Sequence, residues 1–234
     1  MEGTGSDTDR HVGRRGLLIG GLSAAAGAAA LGRSELAHVW DRLSGGGASG
    51  EKGAVDFAGA EWAAASPANY RRADRPHDYA IDRVVIHTVQ GSYAMALRVF
   101  ADPAHAAAAH YVLRRDGKVA QTVREPDVAF HAGNRSYNER SIGIEHEGFV
   151  ERASSYTDAM YRSSARLTAD ICARYGIPVD RQHIIGHVEV PGADHTDPGP
   201  YWDWAWYVRL VRKARELSGP QRDLPGTSRG RSRP

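Results

Sequence analysis

Apolar positions recur along this chain with two different periods. In IDRVVIHTVQGS a β-branched block, Val84-Val85-Ile86, is closed by the turn residues Gln90-Gly91-Ser92. That reads as a buried strand with His87 at its C-terminal end. YAMALRVF follows as a short helix that stops before Pro103. In HYVLRRDGKVAQTV, Asp116-Gly117 separates two apolar runs, which predicts an antiparallel hairpin with strands near residues 110–115 and 118–123. SIGIEHEG alternates Ile142 and Ile144 with small or polar residues and reads as another strand, bearing Glu145, His146 and Glu147. DAMYRSSARLTADICARYG sets Leu167, Ile171 and Tyr175 at helical spacing, with Gly176 and Pro178 as the stop. HIIGHVEV reads as a short strand. WAWYVRLVRKARELSG sets Trp206, Leu210, Val211, Ala214 and Leu217 on one helical stripe ending at Gly219. Strands and helices are interleaved and include a hairpin. The pattern predicts an α/β fold, a mixed central β-sheet flanked by helices, and not a purely parallel doubly wound sheet.

The ends of the chain differ from this body. Arg14-Arg15 precedes an uncharged, Gly/Ala-rich run from Gly16 to Leu31, too short for a membrane span of about 20 residues. A charged start, a modest apolar run and small residues at Ala28-Ala29-Ala30 read as an export signal. The paired arginines resemble the twin-arginine type, although Gly13 stands where Ser or Thr is usual. SGGGASGEKG reads as a flexible linker, and GPQRDLPGTSRGRSRP has too little apolar content to fold. The expected organisation is an export signal and following segment over 1–43, a linker over 44–55, one folded domain over 56–218, and a basic tail over 219–234. The expected destination is outside the cell, with no membrane span in the mature protein.

Composition narrows the function classes. Of 234 residues, 41% are hydrophobic and 25% charged, which suits a globular core. The net charge of +2 is too small to argue for nucleic acid, and the arginines cluster at the two termini. One cysteine, Cys172, excludes an internal disulfide framework or a cysteine zinc cluster. Its place in a helical pattern marks it as a small buried apolar residue. The expected state is a monomer.

The segment GHVEVPGADHTDPGP is too broken by Pro and Gly for a helix, yet it holds His187, His195 and Asp197. With His87 at a strand end, His187 and Asp197 make a candidate His/His/Asp set of the kind that binds zinc and leaves a position open. Pro198-Gly199-Pro200 stiffens the backbone beside Asp197. Spacing alone equally allows His187 as a core histidine and Asp197 as a turn residue. Glu145, on a strand with hydrophobic neighbours, is a candidate general base whose pKa partial burial would raise. Glu147, two residues on, would share its face and is a second candidate.

Five stretches in order carry a family resemblance: VVIHTVQGS, AHYVLRRDGKVAQ, FHAGN, SIGIEHEG and GHVEVPGADHTDPGP. Over about residues 78–211 the chain resembles the zinc-dependent N-acetylmuramoyl-L-alanine amidases. This is the type-2 amidase domain, related to amidase-type phage lysozymes and to animal peptidoglycan-recognition proteins. The resemblance implies one Zn2+ ion held by His87, His187 and Asp197, with Glu145 as the base. It implies hydrolysis of the amide joining N-acetylmuramic acid to L-alanine in peptidoglycan, on a mixed sheet with helices on its faces. Many members have Lys two residues before the metal-binding Asp. His195 stands there and would donate to the oxyanion. A Tyr-His pair found in some relatives is Ala109-His110 here, so no Tyr role carries over. His131 falls where the family often lines its substrate groove, and Asn134, Arg135 and Asn138 are rim candidates. His110 and His183 are expected to pack or to bond groups behind the site, His146 to face away from Glu145, and His77 and His105 to be structural or surface residues. Two rival readings remain: a non-catalytic peptidoglycan-binding module of the same fold, and a zinc amidase acting on another exported amide.

Overall fold

The computed structural model describes residues 54–218. The export signal, most of the linker and the basic tail expected from the sequence lie outside the described residues.

Eight strands and four α-helices follow in chain order: β1 (Ala60–Trp62), β2 (Tyr70–Arg71), β3 (Arg83–Thr88), α1 (Tyr93–Ala101), β4 (Tyr111–Leu113), β5 (Val119–Gln121), β6 (Val128–Ala129), α2 (Arg135–Arg140), β7 (Ser141–His146), α3 (Asp158–Tyr175), β8 (Ile184–Gly186) and α4 (Trp204–Ser218). Six strands form one mixed sheet in the order β1-β5-β4-β7-β3-β8, and β2 pairs with β6 in a separate antiparallel ribbon. Strands β4, β7, β3 and β8 run parallel, while β5 returns antiparallel beside β4 as the Asp116-Gly117 turn foretold. Four strand C-termini therefore open at one edge of the sheet, the usual place for a site in an α/β fold.

Alternation along the strands splits the core in two. Val84, Ile86, Ile142, Ile144 and Ile184 face α3 and α4, where they meet Leu167, Ile171, Tyr207 and Val211. Each such aliphatic side chain, fully buried, contributes about 1.5–3 kcal/mol. On the opposite face Val112 packs against Ala96 and Phe100 of α1, and Val85 packs against Ala132 and Ile185. Helix α1 starts where the Ser92 hydroxyl accepts from the Met95 N–H. Helix α3 is capped by Thr157 and ends at Gly176, whose φ of +67° suits glycine at that position.

Two details depart from the sequence reading. The apolar stripe of α4 is wider and shorter than read: Trp206, Leu210, Val211 and Ala214 do pack on the core, the buried Tyr207 and Val208 join them, and Leu217, at the helix end, is 78% exposed. The strand read from HIIGHVEV stops at Gly186, and His187–Glu189 is a 3-10 turn, because the Glu189 carboxylate folds back to accept from the Gly186 N–H. Arg75 is 2% exposed. Its guanidinium donates to the carbonyls of Ser141 (2.9 Å), Glu139 (3.1 Å) and Glu125 (2.6 Å), anchoring the start of β7. Cys172 is buried, and burial pushes its thiol up to about 12. No helix among the described residues is long and apolar enough to cross a membrane.

Candidate metal centre

His87 is the fifth residue of β3, and Glu145 is its Cα partner in the parallel register with β7. His187 opens the 3-10 turn immediately after β8, which pairs with β3 on its other side. Asp197 arrives from the following loop, held against β3 by the Thr88 N–H, which donates to its Oδ2 at 3.2 Å. Tyr156 ties the same region together, since its hydroxyl lies 3.1 Å from Thr88 Oγ1 and donates to the Pro198 carbonyl.

The three side chains converge. His87 Nδ1 lies 3.3 Å from Asp197 Oδ2, and His187 Nδ1 lies 3.1 Å from Asp197 Oδ1. One ligand atom from each falls within 4.8 Å of the others, close enough to gather around a single divalent ion. All three residues are buried. Burial, with His187 nearby, pushes His87 down to about 4, so its ring is neutral and available as a ligand. Burial works against the Asp197 charge, but hydrogen bonds from His187 and His87 win and hold its carboxyl well below the usual carboxylate range. Two buried atoms here lack a hydrogen-bond partner among the described residues, His187 Nε2 and Glu145 Oε2. Two imidazoles, a carboxylate and an orphaned carboxylate oxygen fit a divalent ion with one face left for substrate.

Glu145 as a residue keeps some exposure, but its Oε2 is sealed from solvent. Burial first, and the Asp197 charge second, push its pKa well above the ordinary carboxylate value. The His195 ring stacks on His187 with centroids 4.6 Å apart and planes 18° apart. One third of its side chain is exposed, and its Nδ1 lies 3.9 Å from Asp197 Oδ1.

Other expected positions fall elsewhere. Glu147 accepts from the Arg115 N–H at 2.9 Å and lines a separate polar cavity of about 240 Å³ with Ser92, Arg115 and Arg152. Strand β7 ends at His146, so the alternation that would return Glu147 to the face of Glu145 is broken. His131 is 8% exposed, with its Nδ1 3.0 Å from His87 Nε2 and its Nε2 3.1 Å from Ser141 Oγ. Asn138 Oδ1 accepts from the N–H groups of His131 and Ala132, and Asn134 caps α2 and donates to the Pro191 carbonyl. Arg135 is exposed and pairs with Glu139 at 3.0 Å. His146 faces away from Glu145; it lies against the His87 carbonyl (2.9 Å) and Ser164 Oγ (2.8 Å). His110 is buried and accepts from the Gly143 N–H, while His183 bonds Asp180 and not the centre. His77 and His105 are surface residues beside Asp74 and Asp102. Ser141 and Tyr156 support the centre without any local sequence signal, because their partners are distant in the chain or depend on the fold.

The family profile described as N-acetylmuramoyl-L-alanine amidase matches residues 77–200, a span that holds all three candidate ligands. The chain belongs to the N-acetylmuramoyl-L-alanine amidase family. This amidase is 38% identical to N-acetylmuramoyl-L-alanine amidase A of Achromobacter lyticus over 176 residues, 68% of this chain and 96% of the relative. It is 41% identical to the 1,6-anhydro-N-acetylmuramyl-L-alanine amidase AmpD of Citrobacter freundii over 119 residues, 48% of this chain and 62% of that relative. Among solved structures it is similar to a selenomethionine derivative of AmpD, with TM-score 0.56 and 31% identity over 68% of this chain and 99% of that one. AmpDH3 from Pseudomonas aeruginosa, solved in complex with anhydromuramic pentapeptide, shares the fold at TM-score 0.50 and 21% identity, over 64% of this chain and 73% of that one. The enzyme is thus a hydrolase with N-acetylmuramoyl-L-alanine amidase activity on a mixed six-stranded sheet, and its His87/His187/Asp197 group is a metal site of the kind this family uses.

Proposed function

We propose that the amidase uses one zinc ion, held by His87, His187 and Asp197, to cleave the amide between the lactyl group of N-acetylmuramic acid and L-alanine in wall peptidoglycan. The observation that carries this reading is the convergence of the three ligands with Glu145 beside His87 on the same sheet face. The chemistry a zinc ion supplies when bound is Lewis acidity towards water and towards a carbonyl oxygen. The protein's own groups do the rest. Glu145 takes a proton from the attacking water as its oxygen bonds to the carbonyl carbon. It then gives that proton to the leaving nitrogen as the C–N bond breaks, freeing the stem peptide with an amino terminus. A raised pKa suits a carboxyl that must both accept and return a proton near neutral pH. His195, stacked on His187, donates to the oxygen on which negative charge develops.

The paired arginines and the apolar run ahead of the domain support export by the twin-arginine route, with the enzyme acting in the cell wall as a monomer.

Mass spectrometry of purified wall and of 1,6-anhydromuramyl peptides, digested with and without chelator and after zinc return, tests the proposal. Free stem peptides released from wall, lost on chelation and restored by zinc, are expected. Wall binding that survives chelation with no peptide released under any condition would instead make the chain a binding module.

A further inference from the structure

We propose that His131 is a positioning residue for the metal site: a hydrogen-bond relay through it turns the His87 ring so that Nδ1 presents its lone pair to the ion. The inference rests on the reading that His87, His187 and Asp197 hold a divalent ion.

The relay is read from its far end. The Ser141 hydroxyl donates to the Tyr137 carbonyl. A hydroxyl has one hydrogen, so towards His131 Nε2, 3.1 Å away, Ser141 Oγ acts as acceptor. His131 Nε2 therefore carries its ring's hydrogen, and in a neutral imidazole Nδ1 is then a bare acceptor. Among the described residues the ring nitrogen that faces it is His87 Nε2, at 3.0 Å, which must donate. The remaining His87 nitrogen, Nδ1, is left with a free lone pair, and it is the atom that points at Asp197. Run backwards, the relay would place a hydrogen on His87 Nδ1, where the ion has to sit, and would strip the Tyr137 carbonyl of its donor.

The surroundings are built to hold this ring. A Cβ at Gly143 would lie 2.5 Å from His131 Cγ and 2.6 Å from its Nδ1, so only glycine leaves the ring its seat on β7. Asn138 fixes the His131 backbone by accepting its N–H at 3.1 Å. Partners of this kind set ligand orientation and basicity, and losing one weakens metal binding by about 10- to 100-fold.

The test uses the full-length chain. Zinc dissociation constants are measured by competition with a chromophoric chelator for wild type, His131→Phe, which keeps the ring volume without the relay, and His131→Asn, which returns an acceptor near the Nδ1 position. The His87 ring N–H is followed by nitrogen-15 NMR in the zinc-loaded protein. Wild type should show a slowly exchanging His87 Nε2–H. His131→Phe should bind zinc about 10- to 100-fold more weakly and lose that protection, and His131→Asn should recover most of both. Zinc affinity of His131→Phe within about twofold of wild type, or His131→Asn no better than His131→Phe, would overturn the proposal. Should His131→Phe fail to fold, Ser141→Ala breaks the far end of the relay and must weaken zinc in the same direction, an unchanged constant counting against it. A wild-type chain that binds no zinc would instead bring down the metal reading itself.

Discussion

His87 and Glu145 stand opposite each other in the parallel pairing of β3 with β7. Partnered residues of adjacent strands project from the same sheet face. A metal ligand and the proposed base are thus locked side by side by backbone hydrogen bonds. Glu145→Gln should lower kcat by about 10²- to 10⁴-fold while zinc affinity stays near wild type. Stopped assays of peptide release beside a zinc titration check it; joint loss of zinc and activity would speak against a proton-transfer role.

The loop after His187 has no room to spare. A Cβ at Gly186 would lie 2.7 Å from Pro198 Cδ and 3.1 Å from Trp204 Cζ2. Gly186→Ala should push the Asp197 loop away from His187, destabilise the fold by about 1–3 kcal/mol and weaken zinc binding. Urea unfolding and the same zinc competition measure both effects, and a variant unchanged in both contradicts the packing.

His195 stacks on His187, with its Nδ1 3.9 Å from Asp197 Oδ1. His195→Ala should lower kcat by about 10²- to 10³-fold, the scale of losing one oxyanion donor. His195→Lys, which restores the residue common in the family, should keep most of the activity. Steady-state kinetics of the two variants decide it, and an Ala variant as active as wild type removes His195 from the chemistry.

Asp56 accepts from Arg124 and from the Glu125 N–H, pinning the start of the described residues to the loop after β5. Burial alone would raise its pKa, but these hydrogen bonds hold it below the ordinary 3.8. A carboxyl depressed on folding adds stability that is full above its unfolded value and is lost as pH falls through the lower folded value. Asp56→Asn should therefore lower Tm at neutral pH, and its gap from wild type should close as the pH drops below about 4. Thermal melts across that range check this; a gap that widens in acid would show that Asp56 is not the group responsible.

Much of the centre is legible in the sequence because its ligands sit at punctuation marks. A β-branched block ends at His87, a Gly precedes His187, and a Pro-Gly-Pro follows Asp197. Such breaks constrain the backbone locally and mark candidates, but they leave core and turn roles open for His187 and Asp197, and the five family motifs are what single out the ligand set. The supporting residues cannot be read in this way. His131 and Glu147 take their partners from the fold, across 44 and 32 residues respectively, and no period in the chain encodes those meetings. Strands β1, β2 and β6, two or three residues long, are too short to show alternation, and α2, RSYNER, has no apolar stripe. The burial of Arg75 is hidden for a related reason: its acceptors are backbone carbonyls, which carry no residue identity.

The most direct measurement is anomalous diffraction at the zinc edge from crystals of the zinc-loaded chain. A single strong peak bounded by His87 Nδ1, His187 Nδ1 and the Asp197 carboxylate, with Glu145 facing it, is the predicted result. A peak seated on other residues, or none at all under saturating zinc, would contradict the account.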